Sequence, residues 1–326
     1  MADAGDAIFG PQDDRFHPAA SGDRTITETV WWNFYVPEKN IDAEVYLQFK
    51  PNIGAVYAGI YIWDSFCRHF TDVRYFDTRS YLPLPTTNLN NLVLENGFSM
   101  RVVEPLTRYQ LAYDAGGGAS FELEFSALAP PIGFNAAFAD AERAAYAPGH
   151  FDQVGRMAGE LRLDGETIKI DCITQRDRTW GATRKEDPGY PPDVDWHSAH
   201  FGEDLWFQCW LWHAEPVAND LQGGVVYKSG RAVPLVAAER RAQSDPSGVE
   251  ARVIELRLTD AEGFVHELRG QVRNMFPWPG WFNMVGFAGL VEWRLEGRTG
   301  WGEVHDGRTV KGVIAQRNAA QNKSRE

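Results

Sequence analysis

Cysteine is scarce in this sequence, and its three residues, Cys67, Cys172 and Cys209, lie far apart along the chain. An odd number of widely spaced thiols predicts neither a disulfide framework nor a zinc site built on paired cysteines. A reducing compartment therefore suits the chain best. The N-terminus, MADAGDAIFG, also lacks the basic start and the apolar run of a secretion signal, so we expect a cytoplasmic protein.

A net positive charge and long apolar runs are also lacking. The net charge of −13 and the absence of any basic block argue against a nucleic-acid surface and an anionic membrane surface. No apolar stretch reaches the roughly 18 residues that a membrane-spanning helix requires. We therefore expect a hydrophobic small molecule as the partner, with no nucleic acid and no membrane span. The sequence leaves the oligomeric state open, a homodimer included.

The usual cofactor and hydrolase motifs are missing too. The chain has no GxGxxG after a strand, no P-loop, no GxSxG, no HExxH and no CxxC, so we expect no cofactor. His197 and His200 have HxxH spacing, with Asp193 and Asp195 nearby. The segment resembles a solvated loop, however, and nothing completes a zinc set, so we expect no metal.

Aromatic residues, in contrast, are abundant, and they include 12 tryptophans. In a β-rich protein, aromatic side chains commonly fill a large core because they pack well on pleated surfaces. They also line cavities that hold apolar ligands. Composition alone does not separate these two alternatives.

Short alternating segments and turn signals predict an all-β fold. The Asp164-Gly165 dipeptide predicts a two-residue hairpin turn, which pairs Leu161 with Ile168. Helical evidence is thin, since only the Ala-rich residues 136–147 suit a short helix or an ordered loop. Many short strands are typical of antiparallel sandwiches and barrels, and the length favours two barrels. We place them at residues 1–175 and 176–326.

The segment from Asp204 to His213 predicts a strand with two water-averse faces. One face is nonpolar and the other carries tryptophans: Leu205, Phe207, Cys209 and Leu211, against Trp206, Trp210 and Trp212. One face should pack in a core, while the other lines a cavity or an inter-domain interface, with plain packing between sheets as the alternative. The proline-stiffened residues 277–282 are expected to form a loop, which caps a barrel mouth or folds under its own side chains.

Charge is concentrated in QRDRTWG, residues 175–181. Successive strand residues face opposite sides, so Arg176 and Asp177 should point in opposite directions. One of them is expected to be buried and to require a partner. A surface ion pair with Arg176 or Arg178 is the alternative, but Trp180 and Gly181 indicate a tight backbone passage.

Two motifs, GRMAGELRLDG at residues 155–165 and DRTWG at residues 177–181, resemble the hydroxyneurosporene synthase (carotenoid hydratase) and AttH-like superfamily. The resemblance implies two lipocalin-like (calycin) antiparallel β-barrel domains packed together, with little helix and a hydrophobic cavity. Members of the superfamily include hydratases of polyene ends and cofactor-free cyclases of polyketide or terpenoid substrates. The aspartate of the hydratase motif, thought to supply the acid, corresponds to Asp177, and an upstream histidine and aromatic correspond to His150 and Phe151.

Two departures from the hydratase pattern affect the expected chemistry: Gln175 stands where the hydratases tend to have tyrosine, and Arg178 where they tend to have histidine. If Arg178 contacts Asp177, the carboxylate stays charged. It then acts as a general base, or orients Arg178 toward a developing oxyanion. If the arginines point elsewhere, Asp177 keeps the role of proton donor.

We therefore expect a cofactor-independent lyase or isomerase of hydratase, cyclase or retro-aldol type. It would act by acid/base chemistry on a hydrophobic terpenoid, polyketide or aromatic molecule. The alternatives are a non-catalytic carrier of lipocalin type and a structural protein with tryptophans buried between domains. The candidate catalytic residues are Asp177, His150, Arg178 and Glu303. The candidate substrate-binding residues are Trp180, Trp206, Trp210, Trp212, Asp152 and His213.

Overall fold

The computed structural model of the protein describes residues 9–17, 22–85, 88–133, 149–183, 193–214, 217–281 and 284–323. Strands predominate in these residues, which contain one α-helix, α1, at Val310–Lys323. The predicted all-β class is therefore confirmed. The Ala-rich residues 136–147 lie outside the described residues. Among the described helices, none combines the length and the apolar character that a membrane crossing needs.

The chain divides into two compact units. The first comprises residues 1–36, 43–62 and 74–185, and the second comprises residues 37–42, 63–73 and 186–326. The seam that we placed after residue 175 falls inside a continuous strand, Glu166–Thr183, whereas the first unit extends to residue 185.

The first unit is built on a ten-stranded half-barrel sheet, in the order β4-β3-β2-β1-β10-β9-β8-β7-β6-β5. Its first and last strands, β1 and β10, are neighbours and run antiparallel. The strands are β1 Ile26–Val36, β2 Ile41–Lys50, β3 Ala55–Trp63, β4 Tyr75–Pro83, β5 Asn91–Val93, β6 Phe98–Glu104, β7 Arg108–Asp114, β8 Ala119–Ala127, β9 Gly149–Leu163 and β10 Glu166–Thr183.

The hairpin of β9 and β10 has the predicted register. Asp164 and Gly165 have φ angles of 52° and 81°, the positive values that a type I′ turn requires. Leu161 then lies opposite Ile168, as expected, and the ladder continues without a shift to the pair of Trp180 and Gly149. The turn therefore fixes which residues of β9 and β10 lie side by side at the opposite end of the hairpin.

An N-terminal segment, residues 9–17, anchors one face of β10. Its 3-10 turn, Pro11–Asp14, buries Asp14, whose Oδ1 accepts hydrogen bonds from the Arg176 guanidinium at 3.3 and 3.4 Å. Asp14 Oδ2 also accepts from the Tyr109 hydroxyl and the Leu106 amide, both at 2.7 Å. Arg176 is therefore a buried member of the charge cluster, and Asp14 is the partner that we expected it to require.

The second unit contains a closed barrel. Its sheet has the order β16-β15-β14-β13-β12-β11-β19-β18-β17, and the further pairing of β16 with β18 closes the ring. The elements are β11 Asp193–His200, β12 Leu205–Ala214, β13 Val217–Lys228, β14 Arg231–Ser244, β15 Ala251–Asp260, β16 Val265–Val272, β17 Phe276–Trp281, β18 Met284–Leu295, β19 Arg298–Thr309 and α1.

The nonpolar face of β12 packs in the core of this barrel, as one of its two faces was predicted to do. Phe207, Cys209 and Leu211 belong to the core cluster, and Leu205 packs against it. The prediction of a loop at residues 277–282 was wrong, because Phe276–Trp281 forms strand β17. β17 pairs with β18 alone among the described strands, and an edge strand tolerates proline because its outer amides need no partner.

Candidate active site

The clearest set of chemical groups in the first unit lies along one face of β9 and β10. Thr179 lies opposite His150, and Asp177 lies opposite Asp152. Directly opposed residues of an antiparallel ladder share a face, and their Cβ atoms are about 4.5–5.5 Å apart. From the other side of β10, Trp31 on β1 lies opposite Asp177. The hairpin register therefore brings together three of the residues selected from the sequence: Asp177, His150 and Asp152.

His150 is held by hydrogen bonds at both ring nitrogens. Its Nδ1 lies 2.8 Å from Thr179 Oγ1, and its Nε2 lies 3.1 Å from Asp152 Oδ2. With Nε2–H donating to the Asp152 carboxylate, Nδ1 accepts from the Thr179 hydroxyl. His150 is 2% exposed and Asp152 is 1% exposed, so this chain of groups is shielded from bulk water. Asp177, in contrast, is half-buried.

One oxygen of this set has no hydrogen-bond partner. Asp152 Oδ1 is buried, and no residue that the structure describes donates to it. His150 therefore orients the Asp152 carboxyl through Oδ2 and leaves Oδ1 as an acceptor for a proton or a substrate hydroxyl. Because Asp177 lies directly opposite, the two carboxyl groups can divide the roles of proton donor and proton acceptor between them.

The two arginines of the charge cluster do not belong to this set. Arg176 pairs with Asp14, and Arg178 makes a buried ion pair with Glu28. Arg178 also donates to the backbone oxygens of Thr29, Thr179 and Arg15 at 3.1, 2.8 and 3.1 Å. Both ion pairs lie on the face of β10 opposite Asp177, because residues 176 and 178 alternate with residue 177 along the strand.

Glu28 shows the electrostatic effect of its arginine. Burial pushes its pKa up, but hydrogen bonds and charge from His17 and Arg178 outweigh burial, and the pKa is lowered overall. The ion pair of Glu28 and Arg178 therefore stays charged. Arg178, a candidate catalytic residue from the sequence, instead ties the last strand of the unit to the first.

Trp180, a candidate ligand contact, is also placed on the face of β10 opposite Asp177. Its indole stacks on the His17 imidazole, with ring centroids 4.3 Å apart and planes inclined by 5°. On β9 the ring occupies the space of a side chain at Gly149, where a Cβ would lie 2.0 Å from Trp180 Cε2. Trp180 therefore fixes the N-terminal segment against the sheet.

Glu303 of β19 lies in the second unit and forms part of a separate cluster. Its side chain is 1% exposed, and its Oε2 lies 3.5 Å from Nε2 of His305, which is 17% exposed. The imidazole of His305 meets the indole of Trp196 edge to face at 5.1 Å, and Trp278 lies 6.3 Å away. A carboxylate, a partly accessible histidine and two indoles are therefore gathered on one face of β11, β17 and β19.

The tryptophan face of β12 adjoins this cluster, because Trp210 lies opposite Trp196 in the ladder. Trp206 is buried and stacks on Tyr227, with centroids 4.9 Å apart and planes inclined by 3°. Trp212 is buried and Trp210 is half-buried. His213 precedes the last residue of the same strand, but its side chain is not among those that the structure describes.

The HxxH segment is a strand and not the expected loop, so His197 and His200, three residues apart on β11, face opposite sides. His197 instead shares the barrel interior with Asp195 and Asp306, and their ligand atoms lie within 4.8 Å of one another. The Arg240 guanidinium occupies this group: it lies 3.0 Å from His197 Nε2 and donates to both Asp306 oxygens at 2.7–2.8 Å.

The position of this guanidinium makes the cluster a buried ion network and a poor metal site. Burial raises the pKa of Asp306 to about 6. The neighbouring Asp195 adds to the increase, while Arg240 and Arg308 oppose it. Burial likewise lowers the pKa of His200 to about 4, so that imidazole is neutral at physiological pH.

A surface depression of about 460 Å³ lies over β14, β15 and β16. Glutamate and arginine alternate along its lining, and they lie opposite one another in the ladder: Glu239, Arg241, Glu255, Arg257, Glu267 and Arg269. Such a surface suits solvent and small polar solutes, and it does not suit a hydrophobic ligand.

Sequence reasoning missed Trp31, Thr179 and His305 as members of these clusters. Thr179 and His305 could have been predicted from the sequence. Thr179 lies two residues after Asp177 and His305 two residues after Glu303, so each shares a strand face with a selected acid. Trp31 carried no such signal, since its place depends on the pairing of the first strand with the last strand of the unit.

Comparison with known proteins identifies relatives of the fold. A family profile described as "Domain of unknown function (DUF7064)" matches residues 10–306. No curated protein matches the sequence. A Nitrosomonas europaea protein provisionally assigned as AttH is similar in structure, with a TM-score of 0.62, 14% identity and coverage of 94% of this chain and 98% of that one.

Two further solved structures are similar over most of the chain. CghA has a TM-score of 0.55 and 13% identity, with coverage of 88% of this chain and 89% of that one. Kievitone hydratase from Nectria haematococca has a TM-score of 0.51 and 14% identity, with coverage of 90% and 94%. These neighbours agree with the AttH-like resemblance of the sequence and show that the fold is shared.

Proposed function

Since the chain belongs to the family described as a domain of unknown function (DUF7064), we propose a function from its own site: acid/base catalysis, without a cofactor, on a hydrophobic small molecule. The reaction class is a lyase or isomerase of hydratase, cyclase or retro-aldol type. The observation that carries the proposal is the placement of Asp177 opposite Asp152, with His150 and Thr179 orienting the Asp152 carboxyl.

Each reaction in this class delivers a proton to carbon and removes one elsewhere. In a hydration, Asp177 protonates an alkene carbon, and Asp152 Oδ1 takes a proton from the water that adds to the resulting cation. In a retro-aldol cleavage, Asp152 takes the proton of a β-hydroxyl group, the carbon–carbon bond breaks, and Asp177 protonates the enolate carbon. The indole of Trp31, beside Asp177 in the ladder, suits a cationic intermediate.

The positions of the arginines favour the donor role for Asp177. A contacting guanidinium would stabilise the carboxylate and oppose proton donation. Arg176 and Arg178 are both engaged on the opposite face of β10, by Asp14 and by Glu28. The sequence resemblance to the carotenoid hydratases supports the same role. The name of a structural neighbour, kievitone hydratase, also fits a hydratase.

The proposal is tested with the apolar compound that co-purifies with the protein, identified by mass spectrometry and used as the substrate probe. Mass balance separates the reaction classes: hydration adds one water, isomerisation and cyclisation conserve mass, and retro-aldol cleavage gives two fragments. Wild-type protein should convert the compound, and Asp177→Asn should bind it with little or no turnover.

A matched control comes from the same strand. Asp171 of β10 is 41% exposed and pairs with Arg156 at the surface, so Asp171→Asn should convert the probe at the wild-type rate. Retained turnover in Asp177→Asn would remove Asp177 from the chemistry. Binding without conversion by the wild-type protein would favour the alternative of a carrier.

A further inference from the structure

Gln175 is a buried amide without a hydrogen-bond partner among the residues that the structure describes. Its side chain is 1% exposed, and both Oε1 and Nε2 are unsatisfied. Nearly all buried polar atoms in folded proteins are paired, since burial otherwise removes their bonds to water without replacement. An amide whose oxygen and nitrogen are both unsatisfied therefore indicates a hydrogen-bonding partner that lies beyond the described residues, and a bound molecule would supply one.

The position of Gln175 relates it to the acid/base groups. It precedes Asp177 by two residues on β10, so both side chains lie on one face, about 7 Å apart along the strand. Its opposite residue on β9 is Val154, which is buried and apolar. This face of β9 and β10 therefore carries the acid/base pair of Asp177 and Asp152 at one position. One pair further along, it carries Gln175 as a hydrogen-bonding group beside the apolar Val154.

We propose that Gln175 binds an oxygen substituent of the substrate, a hydroxyl or a carbonyl group, about 7 Å from the carbon that receives the proton. This inference rests on the proposed function, which assigns Asp177 as the group that protonates the substrate carbon. It narrows the substrate class to hydrophobic molecules that carry an oxygen substituent roughly one ring width from the reacting carbon. A hydrocarbon polyene leaves both ends of the amide unpaired and is disfavoured for that reason.

The amide suits this role because it offers a donor and an acceptor in one plane. A phenolic hydroxyl can donate to Oε1 and accept from Nε2–H, and a carbonyl oxygen accepts from Nε2–H alone.

Calorimetric titration with a matched pair of probes tests the inference. 2-Naphthol and 2-methylnaphthalene have similar size and shape, and only the former carries a hydroxyl group. Wild-type protein should bind 2-naphthol about tenfold more tightly or better. Gln175→Leu should lose that preference and keep its affinity for 2-methylnaphthalene. Gln271→Leu, at an exposed site on β16, should behave as the wild type.

Thermal unfolding without ligand separates this role from a structural one. Gln175→Leu removes unsatisfied polar atoms, so its Tm should equal or exceed that of the wild type. A Tm below that of the wild type would mean that the amide has an internal partner, and the inference would fail. Absence of a 2-naphthol preference in the wild type, or its retention in Gln175→Leu, would also overturn it.

The binding test does not depend on turnover. If Asp177→Asn stays fully active while the preference for 2-naphthol depends on Gln175, the proposed function fails and the oxygen-binding site stands. If Asp177→Asn is inactive and the preference is independent of Gln175, the reverse holds.

Discussion

Replacement of Arg176 by methionine should destabilise the protein by about 3–5 kcal/mol, because it leaves a buried carboxylate without its counter-ion. The Arg176 and Asp14 side chains are 2% and 4% exposed. The guanidinium also donates to Gln153 Oε1 at 2.9 Å, and its carbon lies 4.1 Å from the ring centroid of Tyr109 and 4.8 Å from that of Phe151. Methionine keeps much of the apolar contact and removes the charge and every donor.

The size of the effect follows from what remains around Asp14. Its carboxylate keeps the hydrogen bonds from the Leu106 amide and the Tyr109 hydroxyl, which do not neutralise a charge held away from water. Arg269→Met is the matched control. Arg269 pairs with Glu255 at the surface, where the two side chains are 59% and 47% exposed, so its loss should cost at most about 1 kcal/mol.

Urea unfolding followed by tryptophan fluorescence measures these differences. The double variant Asp14→Asn/Arg176→Met should lose much less than the sum of the two single variants, since it removes the isolated charge together with its partner. A cost below about 1 kcal/mol for Arg176→Met would refute the reasoning, as would additive single and double effects.

Three further outcomes are expected. Unfolded His200 takes up a proton below its ordinary pKa of 6.5 and the folded residue only near 4, so folding stability should fall by about 3 kcal/mol as pH falls through that window. Unfolding titrations should show this loss in the wild type and a flatter profile in His200→Gln. Gly149→Ala should destabilise by about 1–3 kcal/mol and shift the emission of Trp180, whereas Gly22→Ala, with open space around it, should do neither by the same fluorescence assay. Burial raises the pKa of Cys209 to about 12, so a thiol reagent at neutral pH should label it only after unfolding, and rapid labelling of the native protein would contradict its burial.

The register of the central hairpin could be predicted because one local signal determines it. Asp164 and Gly165 take the positive φ angles of a two-residue turn, and every later pair of the ladder follows by counting. The same counting puts Asp177 opposite Asp152 and Thr179 opposite His150. The nonpolar face of β12 was equally readable, because strict alternation separates it from the tryptophans.

The alternation of side chains along a strand also explains why two candidate site residues, Arg178 and Trp180, lie away from Asp177. Arg178 and Trp180 are one and three residues from Asp177, so period-two geometry already puts both on the other face of a strand. The HxxH spacing gives the same result for His197 and His200, once the segment is a strand. Residues three apart share a face in an α-helix, but they lie on opposite faces of a β-strand. The HxxH spacing therefore does not bring the two histidines together here.

Contacts between distant strands could not be predicted from local pattern. Trp31 meets Asp177 only because β1 pairs with β10. In the second unit, Asp195 meets Asp306 across β11 and β19, and Arg240 reaches them from β14. Such pairings join strands that are far apart in the sequence, and no dipeptide or periodicity encodes them.

Deuterium transfer tests the central claim, that the carboxyl of Asp177 delivers a proton to carbon, most directly. The co-purifying compound is incubated in D₂O with wild-type protein, Asp177→Asn or Asp171→Asn, and deuterium at carbon in the product is followed by mass spectrometry. We predict enzyme-dependent incorporation with the wild type and Asp171→Asn, and its loss with Asp177→Asn while the compound still binds. Incorporation at an undiminished rate with Asp177→Asn would contradict the account.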